Sequence, residues 1–454
     1  MGKLEIVLEN STPLLVGWYR PELADPRGLR PTEVKGLWRW WARAFLGGVL
    51  YDNGILKGRV GSHVLLRPTP NEVKLISKLV GEMIGVGMAI GGESCASKFT
   101  LYIEPPKEVS PKDIGKYLQK YQRVRLLTLG RRERGAGSEA SATSSDKVLR
   151  GGEGEEKTIE GLDSGVRFKL HVEWDNERAP KYLETALSIL LVALQFTGVG
   201  KGSRRGLGSL DIISISTKSW KTPELWNLKD LRKLFDKIYE DCEEIVKDSR
   251  LVEKYSLKEK AVSDEGIQLP PFPVVSNKKS VSREPGAKVP VTKAYVVRDA
   301  DRQMFMKMFM RVHNFFLRSE RCSVLYGTPK CRDDLRHNLD AWFLGLPREQ
   351  RGTGYRTEVS RRASPVLLAF HTDDNLFGKG AFVSVFLSGD WPKKVEWRGG
   401  RSGQRLKWVD GMAIVNAYSV FNKEFLEYLS KIGVGKEMEY VWNHEGRQAE
   451  DIES

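Results

Sequence analysis

Apolar and polar residues alternate over Leu4–Leu8 and again over Val166–Trp174, the two-residue period of a half-buried strand. Between them Val34, Leu37, Trp38, Trp41 and Phe45 recur at three- and four-residue steps, so Glu33–Leu46 predicts an amphipathic helix. It opens at Pro31 or Thr32, where proline suits the first turn, and Glu33 complements the helix dipole. Lys35, Arg39 and Arg43, each four apart, line another face of it. Trp40 falls off the apolar stripe and is its best candidate for stacking on a ligand. Further helices are predicted at Lys74–Ile84 and, from a long apolar run, Lys181–Phe196; strands are predicted at Phe99–Glu104 and Leu210–Ile215.

The order β-α-β-β-α-β predicts a ferredoxin-like first domain over residues 1–218: an antiparallel four-stranded sheet with two helices on one face. Residues 130–165, rich in Gly, Ser, Ala, Glu and Arg, are expected to be a mobile insertion. That insertion is either a solvated loop or an arm ordered by nucleic acid. Residues 219–290 read as a charged helical connector, with Leu231, Leu234, Phe235, Ile238 and Ile245 as its apolar stripe, followed by a proline-rich linker. A second domain is expected over 291–454, with strands at Ala294–Arg298, Val366–His371 and Ala381–Leu387 and helices at Gln303–Leu317, Leu335–Phe343 and Asn422–Lys431. Its last helix leads into Gly433-Val434-Gly435-Lys436, an echo of Gly198-Val199-Gly200-Lys201 after the earlier helix. The fold class expected is therefore α+β: two tandem ferredoxin-like, RRM-like domains with helical insertions.

The segment Thr197–Leu210, TGVGKGSRRGLGSL, changes the picture from fold to chemistry. Gly198, Gly200, Gly202, Gly206 and Gly208 allow close approach of a ligand, and Lys201, Arg204 and Arg205 add three cations. The loop is not a triphosphate P-loop, because Gly202 follows Lys201 where Ser or Thr is required. It is not the dinucleotide fingerprint either, because helix and strand come in the reverse order. The formal charge of +14 over 454 residues favours an acidic partner, nucleic acid or an anionic membrane surface. No apolar window reaches the length of a membrane span, no sustained basic amphipathic helix is present, and the N-terminus lacks an apolar signal core, so a cytoplasmic location is expected.

Histidines and cysteines add little. Cys322 and Cys331 allow a disulfide, a metal site with His313 or His337, or idle thiols, the reading expected here; no C-x-x-C or H-E-x-x-H occurs, and no metal or cofactor is expected. An endoribonuclease would need a general acid–base near the scissile phosphate, and the first domain offers His63 and His171 without a Lys or Tyr cluster around them. Asp333-Asp334 and Asp373-Asp374 read as turn or helix-start residues rather than metal carboxylates. Catalytic residues are therefore not expected. Exposed tryptophans such as Trp391, Trp397 and Trp408 are candidates for partner contact.

Three segments together resemble a known family: Arg30-Pro31-Thr32-x-x-Lys35-Gly36-x-x-Arg39-Trp40-Trp41-x-Arg43-Ala44, Arg204-Arg205-Gly206-x-Gly208, and Arg361-Arg362-Ala363-Ser364-Pro365. The chain resembles the repeat-associated mysterious protein (RAMP) subunits of the CRISPR type III-B, or Cmr, RNA-silencing complex, and most closely its first-named subunit. The resemblance implies a non-catalytic place at the end of a ribonucleoprotein that holds the 3′ part of the CRISPR guide RNA and captures target RNA, with other Cmr subunits as partners. It implies an RNA path bordered by Arg30, Lys35, Arg39 and Arg43, by Lys201, Arg204 and Arg205, and by Arg361 and Arg362. The alternative is a RAMP-type endoribonuclease acting on CRISPR RNA.

Overall fold

The computed structural model describes residues 1–17, 23–58, 67–85, 89–90, 93–94, 96–106, 111–114, 160–175, 181–218, 230–248, 250–254, 269–281, 288–302, 318–331, 334–345, 348–350, 353–359, 363–388, 391–398, 405–432 and 438–442. It is a mixed α+β protein built on antiparallel sheets. Strand β1 (Gly2–Asn10) leads to helix α1 (Pro31–Asp52) and helix α2 (Pro70–Met83); β2 (Thr100–Glu104), β3 (Arg167–Trp174), α3 (Leu183–Phe196) and β4 (Leu210–Lys218) follow. The first sheet runs β2-β3-β1-β4, every neighbour antiparallel. Its inner face is set by strict alternation: Leu4, Ile6 and Leu8 are buried while Lys3, Glu5 and Glu9 are not.

Helix α4 (Leu231–Asp248) buries the predicted stripe Leu231, Leu234, Phe235, Ile238 and Ile245. The second sheet is made of β5 (Thr292–Val297), β8 (Val366–His371), β9 (Gly380–Phe386) and β12 (Met438–Trp442), in the order β8-β9-β5-β12. In chain order the two sheets thus share one arrangement, second-third-first-fourth. A third sheet joins β6 (Arg348–Gln350), β7 (Thr353–Arg356), β10 (Lys394–Arg398) and β11 (Arg405–Trp408) in that order. Helix α5 (Arg318–Tyr326) and helix α6 (Gly411–Lys431) pack beside each other.

The halves share one core because α3 is apolar all round and so must be covered on every side. Every residue of β5, β8 and β9 is buried, which places cover on both faces of the second sheet. Aromatic edges join the layers: Trp41 meets Phe196, Phe235 and Phe386 at ring-centroid distances of 5.9, 6.2 and 6.1 Å, and Phe196 meets Phe382 at 5.4 Å. The indole N–H groups are satisfied inside this core, Trp38 Nε1 donating to Ala186 O at 2.6 Å and Trp41 Nε1 to Thr197 Oγ1 at 3.0 Å.

Several expectations change. The proline-rich segment is no loose spacer: Val274 and Val275 are fully buried, and the Val275 amide donates to Ala44 O of α1 at 2.8 Å. Gly48 permits that approach, since a Cβ there would lie 1.6 Å from Val275 O. Residues 160–165 of the expected insertion belong to the fold. Leu162 is buried and its backbone pairs with Leu14; residues 130–159 lie outside the described residues. The expected helix Leu335–Phe343 is split into a one-turn helix, Asp334–His337, and a 3-10 turn, Ala341–Leu344, with Leu339 at φ 57° between them. Helix α6 starts at Gly411, capped by the Asp410 side chain, eleven residues before the predicted start at Asn422. Cys322 and Cys331 are joined as a disulfide, which overturns the idle-thiol reading of that pair. The predicted helix Gln303–Leu317 and Gly433–Lys436 lie outside the described residues.

The third sheet rests on the split segment. Arg405 Nη2 donates to His337 O at 2.8 Å, and Lys407 Nζ reaches Asn338 O at 3.0 Å and the Asp340 carboxylate. Burial pushes the Asp340 carboxyl up to about 6, with Lys407 pulling against it. The folded chain therefore holds this proton more tightly than the unfolded chain, and the stability contributed here falls as pH rises from about 4 to about 6. A shift of that size is worth about 3 kcal/mol. Asp340→Asn removes this part of the pH dependence. The difference in urea-unfolding free energy between mutant and wild type should change by most of that amount between about pH 4 and about pH 7. A difference that stays flat with pH would refute the role given to Asp340.

Candidate nucleic-acid interface

The glycine loop is held from three directions before any ligand is considered. From the chain end of β1, Pro13 O accepts from the Gly208 amide at 3.0 Å and Leu15 O from the Lys201 amide at 2.9 Å. Within the loop, Gly208 O accepts from Val199 N at 2.9 Å and Gly202 O from Arg205 N at 2.8 Å. Thr12 Oγ1 donates to Gly206 O at 2.7 Å and accepts from Ser209 N at 3.0 Å. These amides are spent on the protein itself, so the loop is not the open cradle of amide groups that its composition invites. The glycines are nevertheless required. A Cβ at Gly198 would sit 2.1 Å from Leu207 O, and one at Gly208, where φ is +64°, 2.1 Å from Val199 O.

Residues of the second half clamp both stems of the loop. His371, fully buried at the end of β8, approaches Gln195 O through Nε2 at 2.8 Å and Asp211 Oδ1 through Nδ1 at 2.8 Å. Gln195 precedes the loop and Asp211 follows it. Asn375 repeats the bridge, donating from Nδ2 to Gln195 Oε1 at 2.8 Å and accepting from Ile212 N at 2.9 Å. Phe370 N donates to Ser209 Oγ at 3.0 Å. This polar cluster was not foreseen; the adjacency of His371 to a predicted strand carries no sign of its partner 160 residues away.

Between the loop and α1 lies a cleft of about 430 Å³ lined by Glu33, Gly36, Leu37 and Trp40 of the helix, Thr197–Lys201, Ser203 and Arg204 of the loop, and Leu15, Gly17 and Leu367. Arg204 stands 5.9 Å over the Trp40 ring and donates to Ser364 O at 3.3 Å. Arg205 is half-buried, and burial lowers the pKa of both guanidinium groups. Burial also raises the Glu33 carboxyl, against the pull of Arg30. The predicted Lys201 and Arg204 therefore meet Trp40 across one cleft.

The helix cations do not face it. Lys35 Nζ donates to Ser97 Oγ and, at 3.4 Å, to Phe99 O; Arg39 Nη2 and Nε donate to Gly85 O at 2.9 and 3.2 Å. Burial lowers the pKa of both, and a like-charged neighbour lowers each further. Arg43 is exposed on the same row. Arg30 is engaged by Asp25 and by Gly17 O, at 2.5 Å, so it closes the turn that enters α1. A four-residue step puts Lys35, Arg39 and Arg43 on one face, while Glu33, Gly36 and Trp40 lie on the next. Arg361 and Arg362 lie outside the described residues.

The open face of the first sheet is knit together by its own charges. Arg167 Nε pairs with Glu9 at 2.7 Å, Lys3 with Glu173 at 3.5 Å, and His171 Nε2 with Glu104 at 2.8 Å while its ring stacks on Tyr102 at 4.2 Å. No helix among the described residues is long and apolar enough to cross a membrane.

The family model of the RAMP superfamily matches residues 8–211, which contain the end of β1, all of α1, the glycine loop and both of its stems. Among curated proteins, none matches the sequence. Among solved structures, the chain is similar to the apo crystal structure of Cmr1 from Pyrococcus furiosus at 16% identity, over 98% of this chain and 100% of that one, with a TM-score of 0.45. It is similar to a chain in the cryo-EM structure of the type III-B Cmr-beta bound to cognate target RNA and AMPPnP in the presence of ssDNA, at 14% identity, over 94% of this chain and 99% of that one, with a TM-score of 0.48. The corresponding structure of type III-B Cmr-beta bound to cognate target RNA aligns at 13% identity over 94% and 99%, with a TM-score of 0.46.

Proposed function

We propose, from the match of residues 8–211 to the RAMP superfamily model, that this chain is a non-catalytic RNA-binding and assembly subunit of a type III-B CRISPR silencing complex. In that complex it holds the 3′ part of the guide RNA and helps to capture target RNA, with other Cmr subunits as neighbours. In this reading the two sheets of common strand order are two ferredoxin-like units, and the glycine loop joins the last helix to the last strand of the first. The observation that carries the reading is the cleft in which Lys201 and Arg204 face Trp40. Cations beside an aromatic ring suit a single strand, whose phosphates and bases need both. Affinity from phosphate contacts alone is indifferent to sequence, which fits a complex in which the guide reads the target by base pairing.

An endoribonuclease finds less support. His171 is engaged by Glu104 and His371 by Asp211 and Gln195, and neither lines the cleft. His63 lies outside the described residues.

The test is the salt dependence of RNA binding. Lys201→Ala with Arg204→Ala should weaken binding of single-stranded RNA and flatten the plot of log K against log salt by about 1.4, or about 0.7 per lost phosphate contact. An unchanged slope would remove the cleft from the RNA path. Cleavage of labelled RNA by the purified chain, lost on His171→Ala, would favour the nuclease instead.

A further inference from the structure

The third sheet seats one face on the split segment and exposes Trp408 and Leu406 on the other. Tyr355 and Val395 are buried, Trp397 packs edge-on against Tyr355 at 5.2 Å, and Arg405 and Lys407 anchor to residues 337–340. Because side chains alternate, the residues between these point the other way. In the register Trp408 lies opposite Lys394, Leu406 opposite Glu396, Glu396 opposite Arg356, and Arg398 opposite Gly354. Trp408 is 68% exposed and Leu406 54%, and Lys394, Arg356 and Arg398 are exposed beside them.

A lone exposed leucine requires no explanation. A tryptophan and a leucine side by side on an edge strand, with Lys394 opposite the indole and Arg398 on the same neighbouring strand, do. Exposing an indole to water on a strand edge is a liability for aggregation unless the face is used. The charge decides by what. Glu396 is held 3.4 Å from Arg398 and the register adds Glu349 opposite Gly354, against the cations Lys394, Arg356 and Arg398, so the face keeps a positive excess. An acidic, aromatic ligand is complementary to both features at once.

We propose that this face is a second contact for single-stranded RNA, distinct from the glycine-loop cleft. One base stacks on Trp408 with Leu406 at its edge, and the flanking phosphates meet Lys394 and Arg398. The inference rests on the RNA-binding reading for its ligand, but it uses none of the residues of the cleft. The anchoring of Arg405 and Lys407 explains why the indole is presented outward: their hold on residues 337–340 fixes the rotational setting of β11. A rigid stacking surface costs little entropy on binding.

The experiment uses the full chain and fluorescein-labelled oligo(U) and oligo(A) 12-mers, with binding read by anisotropy across a KCl series. Trp408→Ala should weaken binding about 5- to 150-fold, the range of one lost base stack, without changing the salt slope. Trp408→Phe should restore most of the affinity. Lys394→Ala with Arg398→Ala should flatten the slope by about 1.4. The site is exposed, so thermal midpoints of these variants should match wild type. If Trp408→Ala binds like wild type while Lys201→Ala with Arg204→Ala binds weakly, the face is not an RNA contact and the cleft reading stands; a protein partner then covers Trp408. If Trp408→Ala weakens binding and the cleft variant does not, the face stands and the cleft falls. If neither changes binding, both fall.

Discussion

Gly208→Ala should unfold at a markedly lower urea concentration than wild type, with a loss of about 2–4 kcal/mol. Two costs combine. The residue sits at φ +64°, where an L side chain costs about 1–2 kcal/mol. Its new Cβ would also lie 2.1 Å from Val199 O and 3.0 Å from Leu14 Cδ1, so the backbone itself must move. The atoms that would move are those that close the loop, Val199 N on Gly208 O and Gly208 N on Pro13 O. RNA binding should fall at least as far as in the variant lacking the Lys201 and Arg204 side chains, because both are carried on that backbone. Gly54→Ala separates the two costs: Gly54 has φ +71° but open space around a Cβ. It should lose about 1–2 kcal/mol and bind RNA normally. Equal losses for the two alanines would show that the loop tolerates the side chain.

His371→Ala should cost about 2–5 kcal/mol, from the cavity left in the core and from two buried acceptors that lose the ring. The His371 and Asp211 side chains are both fully buried, and the ring sits between two acceptors, a carboxylate and a carbonyl. Removing it leaves Asp211 with Thr372, whose amide lies 3.3 Å from both carboxylate oxygens. The functional consequence is as specific as the energetic one. Gln195 and Asp211 are the two stems of the glycine loop, so the variant should weaken RNA binding although no cation has been touched. Asp211→Ala should do the same, and the double variant should lose less than the sum of the two singles by about 1–3 kcal/mol, as expected for partners in one network. Additive losses in equilibrium unfolding would mean that the two side chains stabilise the chain independently.

How far the sequence reached depends on the range of the interaction. Strand β8 matches its predicted bounds, and the α4 stripe is buried as predicted, because a two- or three-to-four-residue period is a local property. The glycine loop was legible for the same reason: five glycines between an apolar run and a β-prone run have few uses. Exposure was not legible. Trp391 and Trp408 look alike in the sequence as candidates for partner contact, yet Trp391 is fully buried, stacked 5.4 Å from Phe343, while Trp408 is bare. What covers one and not the other is chain from elsewhere in the fold.

The same division holds at the cleft. By itself the sequence determined that α1 has an apolar stripe and a row of cations, that a cationic glycine loop joins α3 to β4, and that the whole carries excess positive charge. Those follow from spacing and composition within a few turns of chain. Only the tertiary structure decided that Lys35 turns to Phe99 O and Arg39 to Gly85 O, that Arg204 crosses Trp40 to reach Ser364, and that His371 staples the loop's two stems. Helical spacing says which residues share a face, but which face meets a partner is set by packing between segments far apart in sequence. Loop glycines likewise announce close approach, whereas the group that approaches comes from the chain end of β1 and from the second sheet.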